Sequence, residues 1–183
     1  EFMHSIREGL HVYIEKTPLE KWQSNYNSQI LGASVQFLGQ WRYFGGDLIR
    51  LKPEQRRLYT KPVLMMCLIH DIPLSGAWYP AVESVWKLFD TMKLTTAEFT
   101  GYWQKGAFTT NEQNVKVSFY QWKNKPDLLL VIGNLNRQKK SIAVLNLEIE
   151  KYQARDAFTE KNIDMRAVQV EDFGFRILRL VPR

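Results

Sequence analysis

Three carboxylates stand near aromatic side chains in the first half of the chain. Asp47 ends the stretch FLGQWRYFGGD, which carries Trp41 and Arg42, and Asp71 follows His70 in IHDIPLSGAWY, just ahead of Trp78 and Tyr79. Glu83 opens a helical pattern a few residues later. Carboxyl groups act as acids, bases or hydroxyl acceptors, and flat apolar rings stack on the faces of sugars. Hydrolysis of a glycosidic bond needs two carboxyls, about 5 Å apart for retention and farther apart for inversion. The pairs on offer are Asp47 with Asp71 and Asp71 with Glu83, and nothing in the sequence fixes either pair at a diagnostic spacing. Asp71 is therefore the single catalytic candidate. Trp41, Arg42, Asp47, His70, Trp78 and Tyr79 are the candidates for substrate binding.

Each candidate has a plainer reading. Asp71, placed before Ile72 and Pro73, suits a helix end or a turn, and the local sequence favours that reading. Glu83 lies near a helix start, where the dipole welcomes a carboxylate without any catalytic role. Phe37 and Phe44 fit a core. Tyr102 and Trp103 in GYWQKG read as packing at a hinge between two halves. His4, His11 and His70 are scattered and form no HExxH spacing, so no metal site is expected. A Gly-x-Ser-x-Gly elbow and a phosphate-cradling loop are both missing, and FGG at Phe44–Gly46 is only a turn signal. No cofactor is expected.

Composition narrows the partners. The 183 residues carry a net charge of +6, with 45% hydrophobic and 13% aromatic residues, six of them Trp. Such aromatic richness suits a large core or a stacking surface. The densest basic groups, Arg56–Arg57 and Arg137–Lys140, are short and far apart, and no nucleic-acid motif accompanies them; no nucleic-acid partner is expected. The run Val63–Ile69 is too short to span a bilayer, so no membrane partner is expected either. Cys67 is the only cysteine. It allows no intrachain disulfide, and its apolar neighbours make it a buried, inert thiol. Glu1 and Phe2 before Met3 read as a cloning remnant.

The elements that must position these residues change rhythm near residues 104–114. Before that point helical patterns alternate with short aromatic segments. LKPEQRRLY starts a helix at Pro53, with Glu54 behind it. KPVLMMCLIHD reads as buried helix because Met, Leu and Cys outnumber its β-branched residues. Val82, Val85, Trp86, Phe89 and Met92 recur at helical spacing, and ASVQFLGQW reads as a strand. After residue 114 the period becomes two. NVKVSFYQW, LLLVIGNL, SIAVLNLEI, YQARDAF, AVQVED and FGFRILRLV are short strands at regular intervals, which is the pattern of an antiparallel β-sandwich with the last strand closing an edge.

The order VKVSFYQW, LLLVIGNL, SIAVLNLEI, YQARDAFTEKNI and FGFRILRL resembles the C-terminal part of glycoside hydrolases that carry a (β/α) barrel followed by a β-sandwich. The asparagine-containing turn at Gly133-Asn134-Leu135, the segment ARDAFTEKNI and the closing FRILRL carry the likeness. VLMMCLIHDIPLSG through AEFTGYWQKG is similar to the last barrel elements of such proteins. The resemblance spans roughly residues 30–183. It implies a two-part α+β chain: a partial, barrel-like α/β region over 3–106 and a C-terminal β-sandwich over 107–183. A full barrel takes about 250 residues, so the chain is expected to be a C-terminal fragment or a reduced relative with little or no hydrolysis of its own. The second reading, from a different class, is a non-catalytic module that binds carbohydrate or protein. Implied partners are carbohydrate, the remainder of the parent protein, or a second copy. A polysaccharide-degrading parent would place the chain outside the cell or in the periplasm.

Overall fold

The computed structural model describes residues 5–8, 17–26, 34–37, 52–72, 82–137, 140–146 and 149–183. It divides into two compact units, Glu1–Ser84 and Val85–Arg183.

In the first unit, β1 (Ser5–Glu8) pairs in parallel with β2 (Ser34–Phe37), in register from Ser5 with Ser34 to Glu8 with Phe37. The short helix α1 (Leu19–Lys21) runs into a π-type turn over Trp22–Tyr26, and Trp22 is fully buried. Helix α2 (Pro53–Ile69) joins two segments that the sequence presents separately, with Pro62 inside it. Pro53 sits where a missing N–H costs nothing, and Glu54 meets the positive end of the dipole. Every residue from Val63 to His70 is buried, so the second half of α2 is a core helix on all sides. Burial also pushes the Cys67 thiol far above its ordinary pKa, which leaves it inert as expected. The barrel-like region anticipated here has no support among the described residues. A parallel pair of four-residue strands and one long helix do not supply the tilted, closed set of strands a barrel requires.

The second unit is built on an antiparallel five-stranded sheet in the order β3-β4-β5-β9-β7. Its strands are β3 (Ala97–Thr100), β4 (Val115–Trp122), β5 (Leu128–Asn134), β7 (Tyr152–Asp156) and β9 (Phe175–Pro182). A second, two-stranded sheet pairs β6 (Ser141–Ala143) with β8 (Val168–Val170). One hydrophobic cluster holds both sheets together. Val115, Val117 and Phe119 of β4, Leu128, Leu130 and Ile132 of β5, and Leu178 and Leu180 of β9 meet Ala143, Val168 and Val170 of the small sheet. Period-two alternation places these residues on one face, as the sequence predicts.

The opposite face is covered too. Helix α3 (Val82–Met92) contributes Phe89, whose ring meets Tyr120 edge-on at 5.9 Å. Phe99 of β3, directly across from Tyr120 in register, approaches the same ring at 5.0 Å. Tyr102 N–H donates to Ser118 Oγ at 3.1 Å, and Trp122 Nε1 donates to the Lys93 carbonyl at 3.4 Å. Double coverage explains why all seven residues of β5 are buried and why its sequence is nearly continuous Leu, Val and Ile. The helical stripe on α3 is narrower than its periodicity suggests: Val82 and Val85 are buried, while Trp86 is exposed.

The last strand departs from expectation. β9 lies between β5 and β7, not at an edge, and pairs with both along its length. Its Ile177, Leu178 and Leu180 fill both faces of the sheet, which an edge position would not require. With β3 at the opposite edge, the edge on this side is β7. There the Asp156 N–H donates to the Lys161 carbonyl at 2.9 Å and the Ile163 N–H to the Ala154 carbonyl at 3.0 Å, so the chain folds back over its own rim.

Candidate functional site

The catalytic candidate sits at the end of α2. The Ile72 N–H donates to the Cys67 carbonyl at 2.9 Å and the Asp71 N–H to the Leu68 carbonyl at 3.4 Å, while Asp71 adopts φ +55°. This is the paired-bond C-terminal motif in which a left-handed residue closes the helix and the next apolar residue, here buried Ile72, folds back. Asp71 is thus a helix-closing residue, half-buried at its turn. His70 beside it is fully buried. Its ring stacks on Trp22 with centroids 5.5 Å apart, and Nδ1 bonds the Met66 carbonyl at 2.8 Å. Burial lowers its pKa to about 4, against the opposing pull of the Met66 bond, so the imidazole is neutral at pH 7. Trp41, Arg42, Asp47, Trp78 and Tyr79 lie outside the described residues.

Three polar groupings in the second unit were not singled out by sequence reasoning as sites. At the end of β5, Asn134 is fully buried and its side chain works in four directions. It donates to the Val170 carbonyl at 3.3 Å and the Glu171 carbonyl at 3.1 Å, and accepts from the Asn136 N–H at 3.0 Å and from Ser141 Oγ at 3.4 Å. These bonds tie the large sheet to both strands of the small one.

A second tie sits at the end of β7. Asp156 Oδ1 accepts from the Phe158 N–H, the Thr159 N–H and Thr159 Oγ1 at 3.1, 3.0 and 3.0 Å, and Oδ2 accepts from Arg176 Nη1 at 2.9 Å. The same guanidinium donates through Nε to the Gln169 carbonyl of β8 at 3.0 Å. Burial would raise the Asp156 pKa, but the bonds from Thr159, Phe158 and Arg176 outweigh it, and the carboxyl is held below its usual range.

The third grouping is a cleft of about 340 Å³ between β7 and residues 162–166. Tyr152, Ala154, Ile163 and Met165 line it with apolar surface continuous with the core. Its polar lining comes from Glu150, Gln153, Asn162, Asp164, Arg166 and Arg183. Gln153 Nε2 donates to Asn162 Oδ1 at 3.0 Å, Arg155 Nη2 donates to Gln153 Oε1 at 3.3 Å, and Asp164 Oδ1 accepts the Arg166 N–H at 2.9 Å. The polar run TEKNIDMR overlaps the segment ARDAFTEKNI that carries the family likeness. No spacing marks it as a cleft wall, because its shape comes from folding back on β7.

Among the described residues no cluster of His, Cys, Asp or Glu is placed to hold a metal ion, and no helix is long and apolar enough to cross a membrane. Comparison with known proteins gives one family. Residues 81–176, just over half of the chain, match the model described as Glycoside hydrolase 123, C-terminal domain. No curated protein and no solved structure matches. The matched span contains α3, strands β3 to β8, the first two residues of β9, and the Asn134 and Asp156–Arg176 ties that hold one sheet on the other. The chain belongs to the glycoside hydrolase 123 C-terminal domain family.

Proposed function

We propose that this chain is the C-terminal region of a glycoside hydrolase in which a β-sandwich supports a carbohydrate-active barrel carried by the rest of the parent protein. By itself the chain performs little or no hydrolysis. The observation that carries the reading is the commitment of Asp156: its carboxylate receives four hydrogen bonds and is held below its usual pKa. A general acid at neutral pH needs the opposite, a carboxyl whose pKa is raised. The lowered pKa rules out the acid's part, and the four bonds engage both oxygens within the fold, so the most deeply set carboxylate of the family-matched domain serves the structure. Any turnover in the chain itself would fall to Asp71, with Trp41, Trp78 and Tyr79 holding the sugar ring.

The test is expression of the complete reading frame with and without residues 81–183, read by solubility and by hydrolysis of aryl glycosides. Deletion is expected to abolish soluble, active enzyme. Full activity in the shortened protein would refute the supporting role.

A further inference from the structure

We propose that the cleft between β7 and residues 162–166 binds a single pyranose residue of a glycan. The choice of a sugar rests on the glycoside-hydrolase reading above; the site itself rests on its own geometry. A pyranose has one face of C–H groups and a rim of hydroxyls that both donate and accept. The cleft matches both. Half-buried Tyr152 and Ile163, backed by buried Ala154 and Met165, offer a small apolar patch that includes one aromatic ring, against which a C–H face packs. The rim offers acceptors in Glu150 and Asp164 and donors in Arg166 and Arg183.

Two details favour a neutral polyhydroxyl ligand. Among the lining side chains Glu150 and Asp164 balance Arg166 and Arg183, so they supply no net positive charge to concentrate phosphate or another anion. The relay from Arg155 through Gln153 to Asn162 orients the Asn162 amide by its oxygen and leaves its Nδ2 hydrogens for a hydroxyl. Ligand sites commonly run from roughly 300 to 1,000 Å³. At about 340 Å³ this cleft suits one ring and a few waters, not an extended chain.

The wall is set before any ligand arrives. The Ile163 N–H is tied to the Ala154 carbonyl, and Asp164 caps the turn at Arg166. A preset wall loses little conformational entropy on binding.

The experiment is titration of the isotopically labelled chain with methyl pyranosides of glucose, galactose, N-acetylglucosamine and N-acetylgalactosamine, followed by amide NMR. At least one glycoside is expected to give saturable shifts at residues 152–154 and 162–166, with a dissociation constant on the order of millimolar. Asn162→Ala and Asp164→Asn are each expected to weaken binding about tenfold while the remaining amide spectrum stays unchanged. The proposal is overturned if no glycoside gives saturable shifts there, if shifts cluster at Tyr102 and Trp103 instead, or if inorganic sulfate saturates the site and no sugar does. Such failure would not touch the supporting role of residues 81–183, which is read separately by the deletion experiment.

Discussion

Arg176 Nη1 donates to Asp156 Oδ2 at 2.9 Å while its Nε reaches the Gln169 carbonyl on the other sheet at 3.0 Å. One guanidinium thus joins a β7 carboxylate, its own strand β9 and β8. The asparagine turn, ARDAFTEKNI and FRILRL, which give the sequence its family likeness, contribute Asn134, Asp156 and Arg176 to the polar ties between the sheets. Their shared feature is architectural: a small sheet held in fixed register on a large one.

Asp156→Asn keeps an acceptor for the Thr159 and Phe158 N–H groups but removes the charge facing Arg176. The expected cost is about 2 kcal/mol of stability, since bonds to charged groups contribute more than neutral ones. In the wild type this contribution depends on pH. The folded-state pKa is depressed, so the contribution is complete above the unfolded carboxyl pKa of about 4 and is lost as pH falls through the folded value. Urea titrations at neutral and acid pH check both points. The variant should lose less stability than wild type on acidification.

Asn134→Ala leaves the Val170 and Glu171 carbonyls and Ser141 Oγ without their shared partner at a buried junction. About 3 kcal/mol is expected to be lost, because buried polar groups left unpaired cost more than the bonds contribute. Asn134→Asp should not rescue it, since a carboxylate cannot donate to the two carbonyls. Denaturant midpoints with an unchanged m-value would establish that stability, not the unfolded ensemble, has moved.

Gly101→Ala tests the aromatic cover on the sheet. A methyl group there would sit 2.5 Å from the Trp103 indole, and the Gly101 N–H already holds Gln104 Oε1 at 2.6 Å. Trp103 must shift from its place beside Phe99 and Tyr102, at an expected cost of about 2 kcal/mol. Tryptophan fluorescence reports the displacement directly.

His70 gives the first unit its own acid sensitivity. A neutral, buried imidazole with pKa lowered to about 4 binds its proton less readily folded than unfolded, where the value is about 6.5. Stability is therefore complete above the unfolded value and declines as pH falls from there toward 4, by on the order of 3 kcal/mol in all. His70→Gln should flatten that slope in unfolding followed between pH 7 and 4.

Much of the second unit was legible in the sequence. Val115, Val117 and Phe119 alternate because one face of β4 meets the small sheet, and Leu128–Ile132 are continuous because β5 is covered on both faces. What alternation does not encode is strand order. FRILRL reads alike at an edge or in the interior, and only the pairing of β9 with both β5 and β7 places it between them. β6 is shorter than SIAVLNLEI suggests, because beyond Ala143 the chain turns to bridge Thr110 through Leu145. The turn reading of Asp71 was available from Ile72 and Pro73. The cleft was not, because Tyr152 and Asn162 line it together only once the chain folds back over β7, and no local pattern marks that fold-back.

The most direct test of the whole account is a screen of the purified chain against aryl glycosides of the common pyranoses, in parallel with its Asp71→Asn variant. The account predicts turnover at the buffer rate for both proteins. Robust hydrolysis by the chain, abolished in Asp71→Asn, would contradict it.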